Sequence, residues 1–224
     1  MGLLRRLFSR DDNSSDEATT RHASQLSTRR SSGPVCDGDL QAGARAERWY
    51  VPSDAPSARF LGPDGLPTLR LIPYQDAAGE RVLRLIEDDT GLLVGPTHRG
   101  LLNAGVYVSQ LRGESYHEAS CRRGNFTPGA QVRLFREPDN PHDPNAVAVY
   151  DATGRHMAAY VNKQKARALA RLLDGGTIIE AVSLRGTAAG EPCEQVAIAA
   201  AEPPVLARLL SPRPSHLPPP AHER

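Results

Sequence analysis

The sequence contains little lysine, few aromatic residues and few cysteines, and it lacks the phosphate-binding loop of ATPases. Only two of its 27 basic residues are lysine, and aromatic residues make up 5% of the chain. No segment reads G-x-x-x-x-G-K-[ST] or G-x-S-x-G, which are the motifs of nucleotide-driven motors and of serine hydrolases. These absences predict a protein that is not an enzyme and that has no catalytic residues.

The charge and the cysteines restrict possible ligands. A formal net charge of +1 provides no overall field that would attract a polyanion, so an anionic partner requires a local basic cluster. The three cysteines, Cys36, Cys121 and Cys193, are far apart and include no C-x-x-C pair, which argues against a structural zinc site. We therefore expect free thiols in a reducing cytoplasm, with no metal and no cofactor.

Both ends of the chain differ from its middle. Residues 1–44 are rich in serine, arginine and aspartate without a hydrophobic period, which predicts a disordered leader. The apolar start, Met1 to Phe8, is too short for a signal peptide. Residues 202–224 are interrupted by prolines and are predicted to form a disordered, Pro-rich tail. No stretch is long enough to span a membrane, so we expect a cytoplasmic protein.

Residues 45–103 contain short apolar runs separated by turn motifs. The runs Leu69 to Ile72, Val82 to Ile86 and Leu92 to Val94 have the length of strands, and their spacing predicts a small β-meander of unknown role. Trp49 and Tyr50 are expected to anchor this sheet rather than to form a ligand platform.

Residues 104–201 show a stronger β pattern with one helix. Alternating or apolar runs at 104–111, 131–137, 146–150 and 155–161 predict strands, and two more are expected at 177–184 and 194–201. Between them, Ala166, Leu169, Ala170 and Leu173 follow helical spacing, with Asn162 as the N-cap and Gly175 at the C-terminal end. The fold class is therefore mainly β with one or two helices, as an OB-like barrel preceded by the meander.

The segment 140–146, NPHDPNA, places His142 and Asp143 between two prolines, and we call it the proline-bracketed loop. Proline fixes its own φ and restricts the residue before it, so the tip of the loop is held in an extended presentation. One reading is a preorganised binding loop. The alternative is a set of Asx turns in which Asn140, Asp143 and Asn145 cap their own backbone. A metal pair formed by His142 and Asp143 is disfavoured, because adjacent residues on an extended segment point apart.

A basic line follows on the predicted helix. Lys163, Arg167 and Arg171 are spaced i, i+4, i+8, and no acidic residue occurs between Asp151 and Asp174. Neighbouring like charges are slightly destabilising, so an anionic partner would explain the pattern. Lys163 at the helix N-terminus would add its charge to free N–H groups that favour phosphate. A solvated surface helix is the alternative.

The segments NPHDPNAVAV, MAAYVNK and ARALARLLDGG, together with VSQLRGESYH upstream, resemble the HIRAN domain over residues 104–201. This family has an OB-like barrel and occurs in fork-remodelling ATPases and as a free-standing unit in bacterial proteins. The resemblance implies capture of the 3′-hydroxyl end of single-stranded DNA. Tyr116 would stack on the terminal bases, Asp143 would accept from the hydroxyl, Lys163 would contact phosphate, and His142 would pack on the end nucleotide.

The sequence departs from the family at two of these positions. His142 replaces a tyrosine, and Ser115 stands where remodelling members carry an arginine, for which Arg112 is a candidate substitute. The DNA-binding set inferred from the resemblance and the basic line is Tyr116, His142, Asp143, Tyr160, Lys163, Arg167 and Arg171. The predicted function is non-catalytic DNA binding in repair or replication-fork processing, with single-stranded 3′ ends and other repair proteins as partners. The alternative is a peptide-binding adaptor without affinity for DNA.

Overall fold

The computed structural model describes residues 48–224. The predicted leader 1–44, the apolar start Met1 to Phe8 and the first cysteine, Cys36, lie outside the described residues. Within residues 48–224, no helix has both the length and the apolar character needed to cross a bilayer.

The first part of the described chain is a three-stranded antiparallel meander, as predicted. Its strands are β1 (Leu69–Gln75), β2 (Arg81–Glu87) and β3 (Leu93–Val94), in the order β1-β2-β3. Trp49 and Tyr50 are half-buried, and their segment pairs with β3 through the backbone. The N–H of Leu93 donates to the Trp49 carbonyl at 2.7 Å, and the N–H of Val51 donates to the Leu93 carbonyl at 2.8 Å. Helix α1 (Gly100–Asn103) leads from the meander into the next element.

The second part is a closed six-stranded barrel with the strand order β4-β7-β6-β5-β8-β9. All of its strand pairs are antiparallel, which confirms the predicted mainly-β, OB-like class. A short helix, α2 (Glu118–Cys121), lies between β4 and β5. The barrel strands are β4 (Tyr107–Arg112), β5 (Gln131–Glu137), β6 (Ala146–Asp151), β7 (Met157–Val161), β8 (Glu180–Arg185) and β9 (Ala197–Ala201).

The predicted helix is α3 (Lys163–Asp174). Asn162 caps it, because its side-chain oxygen accepts from the Gln164 N–H at 3.0 Å. Ala166, Leu169 and Ala170 are buried in the barrel core, and Leu173 packs against that core. The apolar stripe therefore fixes α3 against the barrel and leaves Lys163, Arg167 and Arg171 exposed.

The meander and the barrel share a hydrophobic core. One cluster of buried residues includes Leu69 and Leu85 of the meander together with Val108, Val182 and Ala199 of the barrel. Burial of apolar surface from both parts means that each part stabilises the other. The predicted boundary between residues 103 and 104 therefore marks the change from the meander to the barrel within one packed unit.

The C-terminal segment differs from the predicted disordered tail. Helix α4 (Pro203–Leu210) buries Leu206 and Leu209 in the shared core. Beyond it, the side chains of Arg213 and Arg224 donate to the carbonyls of Asp88 and Thr90, each at 2.6 Å. The partners of this segment lie more than a hundred residues earlier in the chain, so local composition contains no signal for the contact.

The cysteines also differ from the prediction of free thiols. Cys121 and Cys193 are buried and joined in a disulfide with a Cα–Cα distance of 5.7 Å. The barrel topology brings the end of α2 beside the segment that precedes β9, although the two cysteines are 72 residues apart. The bond links α2 to the barrel. Because disulfides are rare in reducing compartments, the cysteines do not support the expected reducing cytoplasm.

Candidate nucleic-acid interface

Three loops of the barrel converge on a surface cavity of about 730 Å³, which we call the three-loop cavity. The loops follow β4, precede β6 and follow β7. Of the seven residues predicted to bind DNA, five line this cavity and two do not. Arg167 and Arg171 lie further along α3, exposed to solvent. The five that line it are Tyr116, His142, Asp143, Tyr160 and Lys163.

The proline-bracketed loop is built from Asx turns, as one of the two readings predicts. The Asn140 side-chain oxygen accepts from the N–H groups of His142 at 3.0 Å and Asp143 at 3.3 Å. The Asp143 carboxylate accepts through Oδ1 from the N–H of Asn145 at 2.9 Å. These bonds hold the tip of the loop in one conformation, so the turns and the preorganised presentation occur together.

One oxygen of Asp143 is left for a ligand. Oδ1 is occupied by Asn145, whereas Oδ2 accepts no hydrogen bond from the described part of the chain. The residue is half-buried and lines the three-loop cavity together with Lys163. A carboxylate oxygen accepts hydrogen bonds and cannot donate when ionised, so this position favours a hydroxyl or amine donor.

Arg136 of β5 fixes the proline-bracketed loop from behind. Its guanidinium donates to the carbonyls of Pro144 at 2.9 Å and Ala146 at 2.8 Å, and to the Asp174 carboxylate at 2.9 and 3.1 Å. The hydrogen bond from Arg136 lowers the pKa of Asp174. Arg136 therefore connects the loop to the end of α3. Sequence reasoning missed this role, because an arginine on a strand has no local signal for its partners.

Aromatic rings form one wall of the cavity. Tyr116 follows a turn at Gly113, whose φ of 90° favours glycine, and its ring is 89% exposed. His117 meets Tyr160 edge to face with ring centroids 5.7 Å apart. Tyr160 in turn donates its hydroxyl proton to Glu137 at 2.9 Å. Burial and this bond raise the pKa of Tyr160, so its hydroxyl remains protonated and its ring is held in place.

The cationic side of the cavity consists of Lys163, Arg112 and the start of α3. Asn162, the N-cap residue, also lines the cavity, so the free end of the helix opens onto it. Arg112 is a lining residue, whereas Ser115, the departure from the family pattern, is exposed and is not. The polar and aromatic lining residues outside the predicted set are Arg112, His117, Asn140 and Asn162. Arg112 is the candidate substitute for the missing family arginine, Asn140 a predicted turn residue and Asn162 the predicted helix cap, whereas His117 has no sequence signal beyond its adjacency to Tyr116.

The described residues contain no group of three metal-ligating side chains that could hold an ion. The cavity thus joins a hydrogen-bond acceptor, exposed aromatic rings and cations, which together suit a ligand with a donor group, flat rings and negative charge.

The fold and the cavity define a small β-barrel with a cavity lined by loops. Residues 104–196, less than half of the chain, match the family model of the HIRAN domain. No curated protein matches the chain.

Three solved structures are similar to this chain. The crystal structure of the HIRAN domain of human HLTF is 24% identical with a TM-score of 0.36, and it covers 47% of this chain and 83% of its own. The crystal structure of a Lactobacillus plantarum protein is 18% identical with a TM-score of 0.33, and the match covers 42% of this chain and 92% of that protein's chain. The NMR structure of the HLTF HIRAN domain is 21% identical with a TM-score of 0.31, covering 46% and 81%. The similarity to the HIRAN family rests on the match to the family model.

Proposed function

We propose that this protein binds the 3′-hydroxyl end of single-stranded DNA in the three-loop cavity and does so without catalysis, in DNA repair or replication-fork processing. The observation that carries the proposal is the Asp143 carboxylate oxygen, which accepts no hydrogen bond from residues 48–224, in a cavity that also contains Lys163 and the exposed residue Tyr116. The match of residues 104–196 to the family model of the HIRAN domain supports it.

Discrimination between strand ends follows from the chemistry of Asp143. A terminal hydroxyl donates a hydrogen bond to a carboxylate, which contributes about 1.5 to 3 kcal/mol when one partner is charged. A terminal phosphate has no such donor when fully ionised, and two like charges about 4 Å apart repel by roughly 1 to 4 kcal/mol near a protein surface. The site therefore favours free hydroxyl ends over phosphorylated ends.

Tolerance of sequence follows from the rings. Every nucleobase has a flat face, so stacking on Tyr116 requires no particular base. Lys163 and Arg112 neutralise backbone phosphates, which are the same in every sequence. We expect a preference for the end of a strand with little preference among bases.

A titration with three single strands of the same sequence tests the proposal. The strands carry a 3′-hydroxyl or a 3′-phosphate, or are closed into a circle, and binding is measured by fluorescence anisotropy at fixed salt, since phosphate contacts make affinity depend on salt. We expect the tightest binding to the 3′-hydroxyl strand. Equal binding to all three strands would refute end capture and indicate binding of single-stranded DNA without a preference for ends. No binding to any strand would refute end capture and favour the peptide-binding alternative.

A further inference from the structure

The outer face of the barrel beside the three-loop cavity contains a second aromatic group. Phe135 of β5 pairs with Ala148 of β6, and Ala148 pairs with Tyr160 of β7. Residues directly opposite each other in antiparallel strands project to the same side of a sheet. Phe135 therefore shares a face with Tyr160, a lining residue of the cavity.

Phe135 is held as a rigid, partly exposed ring. It is 42% exposed and meets Tyr150 edge to face, with ring centroids 5.0 Å apart and planes at 77°. Beneath it, Ala148 is fully buried. Gly154, in the turn after β6, lies close to Phe135 as well, because a side chain added there would meet the ring at 3.7 Å. An exposed ring fixed on three sides loses little entropy when it stacks on a ligand.

One arginine lies beside this ring, and a second follows in the adjoining turn. Arg133 pairs with Tyr150 across β5 and β6, so it projects to the same face, and Arg155 follows Gly154 in the adjoining turn. Both are exposed, and neither forms a salt bridge with any residue in 48–224. Arg133, Phe135, Tyr150 and Arg155 together form what we call the Phe135 patch. Glu180 lines the same depression as Arg133 and Phe135 and is the acidic side chain beside them. Arginines around an exposed ring suit a phosphate backbone with a base.

The patch continues the three-loop cavity. Phe135 and Tyr160 lie two strands apart on one face, which corresponds to about 10 Å at the usual strand spacing. In the row of residues that pair across β5, β6 and β7, only the small side chain of Ala148 lies between Phe135 and Tyr160. The carboxylate of Glu137 lies between the two sites, but it already accepts from the Tyr160 hydroxyl and from the Asn140 amide, each at 2.9 Å. A strand that leaves the cavity therefore meets the patch within a few nucleotides.

We infer that the Phe135 patch is a second nucleotide subsite, which binds the segment of single-stranded DNA upstream of the captured 3′ end. Phe135 stacks on a base, and Arg133 and Arg155 contact the adjoining phosphates. This inference rests on the proposed function, because it takes the direction of the strand from end capture. A peptide without negative charge is disfavoured as the occupant, since Arg133 and Arg155, which form no salt bridge with any residue in 48–224, select for negative charge along the path.

The test compares a dinucleotide with an octanucleotide, both with a 3′-hydroxyl, because only the longer strand reaches the patch. Phe135→Ala is expected to weaken binding of the octanucleotide about fivefold or more, the effect of losing one stacked base, and to leave the dinucleotide unchanged. Arg133→Gln should lower the slope of log affinity against log salt for the octanucleotide by about 0.7, as expected for one lost phosphate contact on a single strand.

Two control variants separate stacking from a general loss of apolar surface. Phe135→Trp keeps a flat ring and should retain octanucleotide binding. Leu102→Ala removes an apolar side chain of nearly equal exposure, 41%, on helix α1 of the meander region, and should change neither affinity.

The outcomes distinguish this inference from the proposed function. If the wild type prefers hydroxyl ends but Phe135→Ala binds the octanucleotide as tightly as the wild type, the second subsite is absent and end capture stands. An equal loss on both oligonucleotides would also overturn the subsite, because it would mean that Phe135 supports the cavity. If the wild type binds neither oligonucleotide, the proposed function and the subsite both fail.

Discussion

Replacing Tyr116 with alanine is expected to weaken binding of 3′-hydroxyl single strands by about 5- to 100-fold, which is the effect of losing one stacked base. The ring is 89% exposed and makes no contribution to either hydrophobic core. Stability should therefore remain as in the wild type while affinity falls. Anisotropy titration and chemical denaturation of the same protein sample measure the two quantities.

The control for Tyr116 is phenylalanine at the same position. Phenylalanine keeps the flat face and loses only the hydroxyl, so Tyr116→Phe should bind within a few-fold of the wild type. If Tyr116→Ala binds as tightly as Tyr116→Phe, the exposed ring is not a stacking platform, and the site must hold its ligand by charge alone.

Replacing Arg59 with alanine is expected to lower the free energy of unfolding at neutral pH by about 3 to 5 kcal/mol, the usual cost of leaving a buried charge without its partner. Glu87 of β2 is 1% exposed. Its carboxylate pairs with the Arg59 guanidinium, which donates to it from Nη2 at 2.6 Å, and it also accepts from the hydroxyl of Thr90. Without Arg59, the buried Glu87 carboxylate retains only the hydrogen bond from the Thr90 hydroxyl.

The effect of Arg59→Ala should depend on pH. Burial raises the pKa of Glu87, but the bonds from Arg59 and Thr90 outweigh burial, so in the wild type the pKa lies below its ordinary value. The stabilisation by Glu87 is therefore present above the ordinary pKa of the carboxyl and is lost as the pH falls through the folded-state value. Without Arg59, burial dominates and Glu87 takes up a proton more readily, so the difference between variant and wild type should narrow in acid.

Denaturant unfolding at neutral and acidic pH measures this difference. Arg81→Ala is the matched control, since Arg81 lies on the same strand as Glu87, is exposed and forms no salt bridge within the described chain. Equal stability of the two variants at neutral pH would show that the buried pair contributes nothing beyond an exposed arginine.

Local patterns were sufficient to predict most elements of this fold. The alternation in 131–137 coincides with β5, and the helical spacing of Ala166, Leu169 and Ala170, with Asn162 as the cap, coincides with α3. These patterns are reliable because each arises from burial or capping within a few residues along the chain. The three short runs of the meander were predictable for the same reason.

Features that depend on distant partners were not predictable. The docking of the C-terminal segment beside the meander, the pairing of Cys121 with Cys193 and the ion pair of Arg136 with Asp174 all join residues that only the tertiary fold brings together. The prediction of a flexible C-terminal end failed because proline content was taken as a sign of disorder, whereas two leucines and a few backbone contacts are enough to fix the segment.

Within the candidate site, the family resemblance supplied the residues and the structure supplied their arrangement. The basic line on α3 predicted three cations at one site, but only Lys163 lines the cavity, because the helix carries Arg167 and Arg171 away from it. Their part in DNA binding remains a prediction. The sequence could not reveal that Oδ1 of Asp143 belongs to a turn while Oδ2 has no hydrogen-bond partner among the residues that the structure describes.

The most direct test of the account is the ratio of affinities for 3′-hydroxyl and 3′-phosphate strands, measured for the wild type, Asp143→Asn and Lys163→Ala. The wild type should prefer the hydroxyl end by about tenfold or more, and Asp143→Asn should bring the ratio close to one by removing the charge that repels phosphate. Lys163→Ala should weaken the binding of both strands and keep the preference for the 3′-hydroxyl end. An unchanged ratio in Asp143→Asn would contradict the claim that this carboxylate recognises the hydroxyl end.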